Sequence, residues 1–136
     1  MDAALLDTDT VNEVLKRRNV NVVQHAATYL SVHPQFSISA ITRYELLRGL
    51  KEKQALKQLA NFETFCRHSS LVVPTLAIVD RAADLWVDAR RGGHPGRDAD
   101  LLIAATALEL QQVLVTGNTR HFSWISGLRI EDWRQP

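Results

Sequence analysis

The chain has 136 residues, 46% of them hydrophobic and 23% charged, which suits one soluble domain with one sizeable core. A formal net charge of +1 excludes an overall field that would draw in a polyanion and leaves only local basic patches for that purpose. A single cysteine, Cys66, excludes an internal disulfide framework and a multi-thiolate zinc site and fits a reducing cytoplasm. No signal peptide is expected, and the longest apolar stretch, LLIAATAL from Leu101, is too short to cross a bilayer.

In chain order, Ala3 to Leu6 reads as a short buried strand ended by Asp7. Thr10 to Arg18 repeats Val11, Val14 and Leu15 at helical spacing. A second helix runs from Val20 to Val32, stopped by His33-Pro34. FSIS, Phe36 to Ser39, alternates like a strand. Ser39 or Thr42 then caps a helix expected to turn Ile41, Tyr44, Leu47 and Leu50 inward. Lys51 to Cys66 is helical again, with Leu56, Leu59, Phe62 and Phe65 on one face. LVVP at Leu71 is a strand closed by proline, Ala77 to Arg91 an amphipathic helix, and Gly92 to Gly96 a loop. Asp98 to Leu110 is a helix with acids in its first turn. VLVT at Val113 is a strand, GNTRHF a turn into a short helix, and LRIEDW an edge strand. Short, continuous apolar strands separated by helices predict an α/β fold: a parallel sheet with helices on both faces, in one domain over residues 1–136.

In such sheets, sites form beyond the carboxyl ends of the strands. Asp7 and Asn118 follow two strand ends, Glu45 lies one turn into the helix after a third, and Asp98 and Asp100 open the helix before a fourth. Acids from segments far apart in sequence thus share one sheet edge. Their mutual repulsion calls for a cation, and all-oxygen ligands suit Mg²⁺, with Mn²⁺ as a substitute. The histidines are scattered without zinc-hydrolase spacing and are expected at the surface. Cys66, Trp86, Trp124 and Trp133 are expected to pack. Arg90, Arg91 and Arg97 flank the acidic edge and are candidate phosphate contacts.

DTDTV at Asp7 matches the D-x-D-x-T/V start of haloacid dehalogenase-like phosphatases, where the first Asp is a nucleophile. That scheme needs a later lysine and then an acidic pair. No lysine follows Lys57, and Asp98 and Asp100 precede Thr116, so the order is wrong. A more specific likeness covers nearly the whole chain. LLDTDTV, SISAITRYELLRGL and DADLLIAATALELQQVLVTGNTRHFSWISGLRIEDW together resemble the PIN-domain ribonucleases of the VapC toxin type. The resemblance implies a three-layer α/β/α fold with a short central parallel sheet. It places Asp7, Glu45, Asp100 and Asn118 in the catalytic positions, with Asp7 and Asp100 as metal ligands and Glu45 a ligand or the base that orients water. Asp100 is preferred to Asp98 because it falls immediately before the apolar run. Asp9 stands where the pattern commonly has Asn and reads as a supporting or helix-capping residue. The resemblance further implies RNA as substrate, a homodimer, and a VapB-like antitoxin that inserts a segment into the active-site groove and alone carries the contact to operator DNA. A PIN-like module that binds without cleaving is one alternative, against which the three intact acids argue, and a DNA-directed or broadly acting nuclease is another.

Overall fold

The computed structural model describes residues 1–136. Five strands, β1 (Ala4–Leu6), β2 (Ser37–Ser39), β3 (Ser70–Val72), β4 (Val113–Val115) and β5 (Ile130–Glu131), form one sheet in the order β3-β2-β1-β4-β5. Every neighbouring pair is parallel, with Leu6 opposite Ile38 on one side and Val115 on the other. Seven helices surround it: α1 (Thr8–Lys16), α2 (Val20–Val32), α3 (Ala40–Glu52), α4 (Leu56–Arg67), α5 (Leu76–Gly92), α6 (Asp98–Leu110) and α7 (Thr119–Phe122).

Strands β1 and β4 are apolar and buried at every position because both of their faces are covered. Ala4 and Leu6 of β1, with Val113 and Val115 of β4, point into a core completed by Val11, Val22, Tyr29, Phe62 and Trp133. Leu5 and Leu114, one residue out of phase, point into a second core against Ile78, Leu85, Leu101, Ile103 and Phe122. The sheet is therefore the middle of three layers, as expected. The chain leaves β1 for β2 on one side and reaches β4 on the other, so the crevice between the β1 and β4 ends is the switch point of the sheet.

Several local expectations are corrected. The first helix begins at Thr8 rather than Thr10, because Asp7 caps it. The expected helix from Lys51 to Cys66 is interrupted: α3 ends at Glu52, Gln54 takes a left-handed φ of 53°, and α4 starts at Leu56. Tyr44 does not face the core. It is exposed, with the Arg48 guanidinium 5.0 Å from its ring centre, and Thr42 and Leu46 are the fully buried positions of α3. Leu56 is also exposed, since α4 packs through Phe62 and Cys66. Trp86 is exposed beneath the Arg90 guanidinium rather than packed, whereas Trp133 is buried. No helix is long and apolar enough to cross a membrane.

Candidate active site

Asp7 follows the last residue of β1, and its extended backbone (φ −78°, ψ 176°) turns the chain into α1. Its amide donates to Val115 O at 3.0 Å, which fastens the strand end to β4. Its Oδ1 accepts from Thr10 N at 2.9 Å, satisfying one open donor of the helix. The residue is 5% exposed. Burial raises the carboxyl from its ordinary 3.8 to about 6, while the Thr116 hydroxyl and the Thr10 amide pull the other way and Asp9 adds repulsion. No cation stands against this carboxylate. Asp9 itself is exposed in the first turn of α1 and does not cap it.

Glu45 sits on α3, and its side chain is 12% exposed. Thr8 Oγ1 donates to Glu45 Oε1 at 2.6 Å and also meets Thr42 Oγ1 at 3.2 Å, so α3 is tied to the residue next to Asp7. Two guanidiniums approach Glu45 Oε2: Arg97 at 3.8 Å and Arg48 at 3.9 Å. Asp100, in the first turn of α6, has its Oδ2 3.3 Å from His121 Nδ1. Asn118 Nδ2 lies 2.9 Å from the same nitrogen. One ring nitrogen cannot serve both groups in these orientations. With a proton on Nδ1 it donates to Asp100, and the Asn118 amide must present its oxygen instead. Without that proton it accepts from Asn118 and leaves Asp100 unbonded.

These contacts form a continuous path. Asp7 faces Thr116, Thr116 Oγ1 accepts from Asn118 N at 3.0 Å, Asn118 meets His121, and His121 meets Asp100. On the other side, Thr8 leads from Asp7 to Glu45. All four candidate residues thus share one edge of the sheet. Asp98 is exposed and makes no side-chain hydrogen bond or ion pair, which separates it from Asp100 two positions on. Of the three candidate arginines, Arg97 reaches the acids. Arg90 lies over Trp86, and Arg91 is exposed in the last turn of α5.

No three His, Cys, Asp or Glu side chains converge closely enough to enclose an ion as they stand. The donor chemistry nevertheless fits a hard divalent cation. A carboxylate at the switch point is buried without a countercharge, a second carboxylate lies along the same path, and every acidic donor is an oxygen. His121 was not singled out by sequence reasoning, although its place three residues after Asn118, one turn along α7, was the available signal. Thr8 and Thr116 were missed as well, because a hydroxyl beside an acid has no spacing signature.

Residues 4–127 match the PIN domain family model. A tRNA(fMet)-specific endonuclease VapC from Shigella flexneri is 32% identical over 97 residues, 71% of this chain and 74% of the relative. Ribonuclease VapC19 from Mycobacterium tuberculosis is 37% identical over 98 residues, covering 70% of this chain and 73% of its own. Among solved structures, the DNA-bound VapBC complex of Salmonella typhimurium superposes with a TM-score of 0.86 at 29% identity, over 98% of this chain and 99% of that one.

Proposed function

The chain belongs to the PIN-domain family, and from that membership we propose that it is the ribonuclease toxin of a VapBC-type pair, a metal-dependent endoribonuclease acting in the cytoplasm. The observation that carries the chemistry is Asp7, a carboxylate buried at the sheet's switch point with no cation against it, next in the chain to Thr8, which bonds Glu45, and joined to Asp100 by the path through Thr116, Asn118 and His121.

Asp7 and Asp100 would hold Mg²⁺, or Mn²⁺ in its place. Such an ion, when bound, supplies positive charge against the scissile phosphate and lowers the pKa of water at the site. Glu45 would be a further ligand or would accept a hydrogen bond from the attacking water, and Thr8 holds its Oε1 in place. The water oxygen bonds to phosphorus as the P–O ester bond breaks, and the proton that the water loses goes in balance to the leaving ester oxygen. His121 fixes the Asp100 carboxylate by donating from Nδ1, and Asn118 buttresses the ring. Arg97, on the rim, turns from Glu45 to a phosphate oxygen of the RNA.

The partner assignments have their own support. A groove of 760 Å³ runs between α1, α2 and α4, lined by Val14, Leu15, Val23, Leu30 and Phe65 among others. It suits an apolar antitoxin segment, and contact with operator DNA is left to the antitoxin. On α5, Leu76, Val79, Trp86 and Val87 are exposed at helical spacing, a stripe that a homodimer would cover. The phosphatase reading of DTDTV is not favoured, because the family model that matches is the PIN domain and the required lysine is lacking.

The decisive experiment incubates the purified chain with matched RNA and DNA hairpins. Cleavage of RNA with Mg²⁺ or Mn²⁺, lost in excess EDTA and restored by either ion, supports the proposal. Cleavage that persists in EDTA, or is confined to DNA, rejects it.

A further inference from the structure

The last residues of the chain reach back to the active-site edge. Arg134 Nη2 donates to the carbonyl of Gly117, the middle residue of the turn between β4 and α7. The residues on either side of Gly117 are Thr116, which faces Asp7, and Asn118, which meets His121. The guanidinium is itself held in register. Asp132 accepts from Nε through Oδ1 at 3.2 Å and from Nη2 through Oδ2 at 3.2 Å, and its Oδ1 also accepts from the Arg134 amide at 2.9 Å. Asn21 Nδ2 donates to Arg134 O at 2.8 Å, which ties the same residue to α2. The turn is gripped a second time where Thr116 N donates to Glu131 O at 2.9 Å.

Gly117 leaves room for this arrangement. A Cβ built there would overlap Arg134 Cζ and stand 2.6 Å from Nε. The obstacle is the far end of a flexible side chain, so a methyl group would push the guanidinium away rather than disrupt the backbone. We propose that Arg134 is a positioning residue for the nuclease site: through the Gly117 carbonyl it holds the Thr116–Asn118 turn, and so the partners of Asp7 and His121, in their working places. The proposal rests on the nuclease reading above for its kinetic consequence, and on the turn alone for its structural one.

The test uses the full chain and four variants, Arg134→Ala, Arg134→Lys, Gly117→Ala and the Arg134→Ala/Gly117→Ala double, with Arg129→Ala as control. Arg129 pairs with Asp2 and the Gln111 carbonyl, away from the turn. Two readouts are taken: kcat and KM on an RNA hairpin with Mg²⁺, and NMR hydrogen exchange of the Asn118 amide, which donates to Thr116 Oγ1. Arg134→Ala and Gly117→Ala should each lower kcat on the order of tenfold with KM nearly unchanged, and should speed Asn118 exchange. The double variant should be no worse than either single, because both break one contact. Lysine should restore part of the rate, since it can reach the carbonyl but not grip Asp132 with two parallel bonds. A raised KM with kcat intact would mark Arg134 as a phosphate contact and overturn the proposal, as would additive losses or an unchanged Asn118 exchange rate. If the wild-type chain cleaves no RNA, the nuclease reading fails, and the exchange measurement still decides whether Arg134 holds the turn.

Discussion

Asp7 does two jobs whose demands differ. As a helix cap it needs only an acceptor, and as a buried carboxylate it is costly when ionised. Its folded pKa of about 6 lies above the ordinary 3.8, so the fold binds this proton more tightly than the unfolded chain does. The stability gained from that proton is fully present below pH 3.8 and is lost as pH rises through about 6. The shift corresponds to about 3 kcal/mol. Asp7→Asn keeps the cap to Thr10 N and removes the charge. It should therefore unfold at a higher temperature than the wild type at pH 7.5, the two should converge near pH 4, and the variant should not cleave RNA. Thermal melts across that range check the sign, and a destabilised Asp7→Asn at neutral pH would show that burial is not what governs this group. Asp100→Asn should likewise stay folded and lose activity by a factor on the order of a hundred or more, because Asp100 lies on the path from Asp7. Asp98→Asn should remain active and lose only about 0.3–1 kcal/mol of helix-terminus electrostatics. Two active variants, measured side by side on the same hairpin, would remove the acids from the mechanism.

Elements here are short and rely on their ends. Three-residue strands make few ladder bonds, so the caps and turns that follow them determine where side chains point. Asp7, Asn19, Ser39 and Thr75 each cap a helix with a side-chain oxygen; Asp7 stands between β1 and α1, and Ser39 is the last residue of β2. At the other ends, three non-glycine residues take left-handed backbone: Arg17, Gln54 and Gln111. Gln111, at φ 54°, closes α6 with its amide bonded back to Ala107 O and Leu108 O. Glycine fits that conformation without a Cβ clash. Gln111→Gly should accordingly stabilise the protein by about 0.5–1 kcal/mol, the balance of relieved strain against added unfolded-state freedom. A lower melting temperature would mean that the exposed glutamine side chain contributes more than its backbone costs.

On the scale of the whole molecule, the sheet brings acids from β1, α3 and α6 to one edge and leaves positive charge beside them on Arg48 and Arg97. A divalent cation held by Asp7 would favour the ionised carboxylate that burial disfavours, so binding and pH are linked. Saturating Mn²⁺ should raise the melting temperature clearly at pH 7.5 and much less at pH 5, where Asp7 is protonated in the folded protein. The increment should vanish in Asp7→Asn. An equal rise at both pH values, or in the variant, would place the ion elsewhere. The α5 stripe belongs to this scale too: Trp86→Asp should shift the protein toward monomer in sedimentation while leaving its melting profile close to that of the wild type, because the side chain is exposed within one copy.

Much of this was legible in the sequence, because burial leaves a pattern along the chain. Continuous apolar runs mark strands covered on both faces, so β1 and β4 were visible as Ala3 to Leu6 and Val113 to Thr116, each one residue longer than observed, and the helices between them implied a parallel sheet with helices on both faces. Asp7 stands out as an acid that stops an apolar strand, whereas Glu45 and Asp100 lie within helices and are named through the resemblance to the PIN-domain ribonucleases. What only the tertiary structure decided depends on contacts between distant segments. The break at Gln54 carries no glycine or proline to announce it and follows from the need to fold α4 back along α3. The outward turn of Tyr44 reflects which side of α3 the sheet occupies. The bond from His121 to Asp100 joins residues 21 positions apart, and the grip of Arg134 on Gly117 joins residues 17 apart. Such pairings are set by how α7 and the last residues pack against β4, and a linear sequence marks the residues without marking the distances between them.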